Sequence, residues 1–84
     1  MTTYKVYMVE CSDKSIYTGI TTDIDRRLKQ HSSGKGSKYV RRRLPIKLCW
    51  SSEWMDKSSA LKEEYRIKQL TPKGKRDIWK TTKK

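Results

Sequence analysis

Apolar and polar positions first follow the period of a strand, and from residue 23 that of a helix. "TYKVYMVEC", residues 3–11, is dense in β-branched and aromatic residues and predicts a strand. "SDKS" (12–15) has the composition of a turn, and "SIYTGI" (15–20) predicts the returning strand of a hairpin. "TTD" (21–23) then offers N-cap side chains for a helix over 23–32, which Gly34 stops. The stretch "SGKGSKYVRRRLP" (33–45), with two glycines, a proline and five Lys or Arg, predicts a mobile basic loop holding at most a short helical turn. "IKLCWSSEW" (46–54) predicts a third strand, with Leu48, Trp50, Ser52 and Trp54 on one face and Lys47, Cys49, Ser51 and Glu53 on the other. The tryptophan pair has two readings, core packing or a platform on which bases stack.

Two helices complete the chain. "DKSSALKEEYRIKQL" (56–70) is capped by Asp56 or Ser58, and "TPKGKRDIWK" (71–80) carries Pro72 in its first turn. The basic tail, 80–84, is expected to fray. The order β-β-α-β-α-α predicts an α/β (α+β) fold, a small three-stranded antiparallel sheet flanked by helices. With 84 residues there is material for a single domain, 1–84, and one core.

Charge narrows the function. Twenty-one Lys and Arg against nine Asp and Glu leave a net +12, which on so small a domain draws polyanions, nucleic acid first. A membrane surface is the competing partner, but no basic amphipathic helix shows a clean apolar face. No stretch nears the roughly 20 apolar residues of a membrane span, and no leader peptide is evident. Two cysteines, Cys11 and Cys49, and one histidine are too few for a Cys/His zinc site or a disulfide framework. They predict reduced thiols on neighbouring strands, and an intracellular, cytoplasmic setting.

Some polar residues fall where the helix period puts apolar ones. On a wheel at about 100° per residue, Arg27 and His31 lie within the stripe of Ile24 and Leu28, while Asp25, Arg26, Lys29 and Gln30 point outward. In the next helix Ala60, Leu61, Tyr65, Ile67 and Leu70 form a broad apolar arc with Glu64 near its centre and Glu63 nearer one edge. An inward guanidinium is expensive unless it has a partner. Two readings stay open: Arg27 and Glu64 form a structural ion pair, or carboxylate, guanidinium and imidazole line one cleft suited to phosphate chemistry. Tyr7 and Tyr17 stand mid-strand, and Gly19 marks a place where another group comes close.

Together these residues resemble a known family. "KVY" (5–7) followed by "YTG" (17–19) is similar to the paired motifs of the GIY-YIG nuclease superfamily, "DIDRRLKQH" to its Arg-bearing helix, and "SALKEEY" (59–65) to its A-L-x-x-E segment. "YTGITTDIDRRLKQHSSGKGSKY" resembles the small single-domain bacterial branch, akin to the catalytic domain of eukaryotic junction nucleases. Lys5 stands where the first motif has glycine, Thr18 replaces the middle residue of the second, and the chain has no Asn to match the family's late one. The resemblance implies a GIY-YIG fold and hydrolysis of DNA phosphodiesters with one divalent ion, Mg²⁺ or Mn²⁺. It implies catalytic roles for Tyr7, Tyr17, Arg27 and His31, with Glu64 as the metal ligand. Arg27 would stabilise the transition state, while a tyrosine or His31 would take the proton of the attacking water. A free phenol, with a pKa near 10, needs cationic neighbours for that task.

A shared site makes a demand on register. A two- or four-residue turn at Asp13–Lys14 would pair Tyr7 with Ile20 and put the phenols of Tyr7 and Tyr17 on opposite faces. A three-residue turn, or a bulge, would pair Tyr7 near Gly19 and bring them together, and is the arrangement expected. The basic loop lacks the spacing of a phosphate-binding P-loop. Lys35, Lys38, Arg41, Arg42 and Arg43 are expected on the DNA backbone, with Tyr39 stacking or packing beside the cleft and little base specificity. The leading function is an endonuclease acting on repair- or recombination-type DNA. The alternative is a nucleic-acid-binding module without turnover, and an adaptor to a protein partner has no positive signal.

Overall fold

A computed structural model of the protein describes residues 2–82. β1 (Lys5–Glu10) is the middle strand of an antiparallel sheet, flanked by β2 (Ile16–Thr21) and β3 (Lys47–Ser51). Helices α1 (Ile24–Ser32) and α2 (Lys38–Arg41) precede β3, and α3 (Lys57–Lys68) and α4 (Pro72–Thr82) follow it. The predicted element order holds, with α2 as the short turn expected inside the basic loop. α4 runs three residues into the tail expected to fray, and the rest of that tail, 83 and 84, lies outside the described residues. Among the described residues no helix is long and apolar enough to cross a membrane.

The hairpin has the register that a shared site demands. Cys11 N–H donates to Ser15 C=O at 2.9 Å, leaving Ser12, Asp13 and Lys14 as a three-residue turn. Lys14 has φ 71°, the left-handed residue that closes such a turn. Asp13 supports it by accepting from Ser15 N–H at 3.0 Å and from its hydroxyl. Tyr7 is therefore opposite Gly19 and Val9 opposite Tyr17, so both phenols share one face.

β1 is buried on both sides, which its run Val6-Tyr7-Met8-Val9 reflects. One face carries the apolar core: Val6, Met8 and Ile16 with Ala60 and Ile67 of α3, backed by Ile20, Trp50, Ile78 and Trp79. The other face carries Tyr7 and Tyr17 beneath α1 and α2. Helix α1 is fixed at both ends as its sequence foretells. The Asp23 carboxylate accepts from Arg26 N–H at 3.0 Å. At the far end Gly34 N–H donates to His31 C=O at 3.1 Å and Lys35 N–H to Gln30 C=O at 2.9 Å. Asp56 caps α3 through Ser59 N–H at 2.9 Å.

Three expectations about faces need correction. The register of β3 against β1 shifts between Met8 and Val9, so Trp50 pairs with Met8 and Leu48 with Val9, on opposite faces. Trp54 is not core. Tyr4 bridges Met55 while Val6 bonds to Ser52, which leaves Glu53 and Trp54 together opposite Lys5, and Trp54 turns outward, 52 % exposed. On α3 the buried residues are Ala60 and Ile67, with Glu63 and Glu64 half-buried on that same i, i+3, i+4, i+7 stripe. Leu61 and Tyr65 are exposed, Tyr65 by 69 %.

Candidate active site

The site begins with an absent side chain. A Cβ on Gly19 would lie 2.7 Å from the Tyr7 hydroxyl, so only glycine there lets the Tyr7 ring lie across β2 toward α1. The group that approaches Gly19 is thus the phenol of the neighbouring strand. From α1, one turn apart, Arg27 and His31 reach the same oxygen. His31 Nε2 is 2.9 Å from it, and Arg27 Nε donates to it at 3.3 Å. Tyr17 closes the cluster, its ring centroid 5.4 Å from that of His31 and 6.3 Å from that of Tyr7. Tyr39 of α2 stands 6.0 Å beyond Tyr17.

His31 is fully buried. Its Nδ1 has no hydrogen-bond partner, because the backbone of Gly36 packs against that edge so closely that a Cβ there would overlap the ring. Burial, with the Arg27 charge beside it, holds the His31 pKa below the ordinary 6.5. With Nε2 turned to the Tyr7 hydroxyl, a proton on Nδ1 has nothing to accept it. Burial also raises Tyr7 above 10.0, outweighing the hydrogen bond from Arg27. The bond to Tyr7 raises Arg27. Near neutral pH the cluster is a neutral imidazole, a neutral phenol and one guanidinium. Because the Tyr7 oxygen accepts from Arg27, its own proton is free to be donated to His31 Nε2.

Among the described residues no ion pair joins Arg27 to Glu64. Arg27 NH1 also donates to Gln30 Oε1 at 3.1 Å, which makes Gln30 a positioning partner where the wheel had put it outside. Glu64 lies 3.4 Å from Lys68 Nζ, and its side chain is 20 % exposed. Its charge still reaches Tyr7, where it contributes to the raised pKa. Glu63 accepts from two nitrogens of Arg66, Nε at 2.9 Å and Nη2 at 2.6 Å. Of the two adjacent carboxylates, Glu64 is the one with an oxygen set open to a cation. Among the described residues no cluster of three or more His, Cys, Asp or Glu could hold a metal by itself. A hard carboxylate with a phosphate and waters completing the shell matches the way Mg²⁺ is usually bound, so Glu64 fits such an ion.

In the basic loop, Lys35, Lys38, Arg41 and Arg42 are exposed. Arg43 is not at liberty. It pairs with Asp13 at 3.0 Å, donates to Tyr39 C=O at 3.0 Å and lies 3.9 Å from the Tyr39 ring centroid, tying the loop to the hairpin turn. Gly36 was read only as loop composition; its role comes from the buried ring it covers.

The family model for the GIY-YIG catalytic domain matches residues 3–77. The chain is 49 % identical over 80 residues to the UPF0213 protein DP2720 of Desulfotalea psychrophila, covering 94 % of this chain and 73 % of that one. It is 47 % identical over 75 residues to the UPF0213 protein YhbQ of Escherichia coli O8, covering 89 % and 75 %. Among solved structures, that of the UPF0213 protein BH0048 from Bacillus halodurans matches with TM-score 0.62 at 42 % identity, over 95 % of this chain and 85 % of that one. The protein EF2693 from E. faecalis matches with TM-score 0.66 at 38 % identity, over 96 % and 86 %. The Tyr–Arg–His cluster between hairpin and helix, the matched domain and these relatives agree: the chain belongs to the GIY-YIG nuclease family, in its UPF0213 group.

Proposed function

We propose that the protein is a metal-dependent DNA endonuclease that hydrolyses phosphodiesters in branched, flapped or otherwise interrupted DNA inside the cell. The observation that carries this reading is the Tyr7 hydroxyl held between Arg27 and His31. Tyr7 takes a proton from the attacking water while passing its own to His31 Nε2, so the relay needs no free phenolate. The incoming phosphodiester places negative charge beside Arg27, offsets the repulsion that depresses His31, and so strengthens it as the final acceptor. Arg27 stabilises the charge that builds on the phosphoryl oxygens, and Tyr17 packs the imidazole edge. Glu64 would hold a divalent ion, Mg²⁺ or Mn²⁺, which when bound supplies Lewis-acid stabilisation of the leaving oxygen. Lys35, Lys38, Arg41 and Arg42 grip the DNA backbone, and the free thiols of Cys11 and Cys49 suit a reducing cytoplasm.

A binding module without turnover is the second reading, favoured by the chain's having no Asn. The deciding experiment is cleavage of labelled branched, flapped and linear DNA with Mg²⁺ or Mn²⁺, wild type beside Arg27→Ala and Glu64→Ala. Cutting by the wild type alone supports the enzyme. DNA binding with no cutting of any substrate supports the module, and cutting that survives both substitutions points to a contaminant.

A further inference from the structure

The sheet next to this site presents an exposed tryptophan with a cation beside it. The bulge opposite Lys5 throws the Trp54 ring outward, and Lys5 Nζ lies 5.0 Å from its centroid. Between them and the start of α1, where Thr22, Asp23, Ile24 and Asp25 form the other wall, is a groove of about 310 Å³. It opens beside the catalytic cluster. Lys5 precedes Tyr7 by two residues and shares its face of β1, about 7 Å along the strand. Ile24 lies one helical turn before Arg27.

We propose that the Lys5–Trp54 groove holds one unpaired nucleobase next to the phosphate at Arg27. The inference rests on the nuclease reading and names its substrate class: nucleic acid with a single-stranded segment, flap or overhang at the cut. The base stacks on Trp54, and Lys5, which in this chain replaces the motif glycine, exchanges the indole face for the adjoining phosphate. The walls set the orientation. The Asp23 carboxylate is engaged by Arg26 N–H, while Asp25 is exposed on the far rim and repels phosphate. The backbone therefore follows Lys5, and the base enters between indole and helix. A base inside a duplex keeps its partner and its stack, and cannot enter.

The test is binding in EDTA, so that no turnover is required. The probe is a short single-stranded oligodeoxynucleotide with one fluorescent purine analogue, compared with the same strand made abasic at that position and with blunt duplex. Wild-type protein is expected to quench the analogue and to bind the intact strand more tightly than the abasic one. Trp54→Ala should lose the quench and about 5- to 150-fold in affinity, whereas Trp54→Tyr keeps most of both. Lys5→Gln should flatten the slope of log affinity against log salt by about 0.7. Since Trp54 is half exposed, folding of its variants can be confirmed by circular dichroism. Equal binding of intact and abasic strands, unchanged affinity in Trp54→Ala, or no response to any oligonucleotide overturns the proposal. Base-dependent quenching without any cleavage keeps this site and removes the nuclease reading. Cleavage indifferent to Trp54→Ala does the reverse.

Discussion

The Tyr7 hydroxyl lies 2.9 Å from Nε2 of His31, and neither side chain has more than a trace of solvent exposure. A buried phenol and a buried imidazole in this contact stay neutral because burial disfavours the charged form of each, and the Arg27 charge adds to that at His31 while opposing it at Tyr7. Tyr7→Phe retains the ring that fills the gap over Gly19 and removes only the oxygen on which both partners converge. Single-turnover cleavage should fall about 10²- to 10⁴-fold, with DNA affinity nearly unchanged. The buried nitrogen left without its partner should cost about 1–3 kcal/mol in denaturant unfolding.

His31 also fixes a pH dependence. Its folded pKa lies below 6.5 because of burial and the Arg27 charge. The unfolded chain therefore binds a proton near pH 6.5 that the folded chain refuses. Stability is full above that value and declines as pH falls from it toward the folded pKa. The rate constant kcat/KM, which needs the neutral ring as acceptor, should fall over the same acidic side. His31→Gln should lose both dependences, and unfolding free energies and cleavage rates of the two proteins across pH 7 to about 5 would show it.

How far the chain could be read in advance depended on whether a side chain was fixed by local pattern or by irregular pairing. Asp23, Gly34 and Asp56 end their helices through contacts a few residues away, and their positions were legible. So was the Tyr7–Gly19 register, once both tyrosines were required on one face. Trp54 was not, because alternation assumes an unbroken strand, and the irregular pairing between Ser52 and Met55 turned it away from the face of Trp50 and Ser52. Leu61 and Tyr65 misled for a different reason. Their hydrophobicity suggested the buried stripe of α3, but the stripe that meets Val6 and Met8 is Ala60–Ile67, which carries both glutamates. Gln30 looked like surface because a wheel gives directions and not the reach of Arg27.

The basic loop separates by partner. Lys35, Lys38, Arg41 and Arg42 are exposed, whereas Arg43 is occupied by Asp13 and Tyr39. Each of the first four, changed to Ala, should weaken binding of all duplex sequences alike and reduce the salt slope by about 0.9. Arg43→Ala should instead loosen the tie between α2 and the hairpin, seen as faster amide exchange at Ser12, whose N–H donates to Arg43 C=O at 2.9 Å. An Arg43 variant that changes only the salt slope would show that the internal contacts give way to DNA.

Gly36 offers the sharpest separation of packing from chemistry. A Cβ there would overlap the His31 ring at Nδ1, and that ring is fully buried. Gly34 has φ +81°, so Gly34→Ala strains the backbone, but its Cβ would meet only the flexible Arg41 side chain at 3.7 Å. Both substitutions should destabilise the fold, by about 1–3 kcal/mol for overpacking at Gly36 and about 1–2 kcal/mol for the left-handed strain at Gly34. Their effects on cleavage should differ. Gly36→Ala pushes the imidazole off the Tyr7 hydroxyl, and a misplacement near 1 Å is enough to cost about 10²-fold. Gly34→Ala leaves that bond in place and should cut at close to the wild-type rate wherever it remains folded. Denaturation curves and single-turnover rates measured on the two variants side by side decide the matter. Equal loss of rate in both would mean that loop stability, and not the seat of His31, governs the reaction.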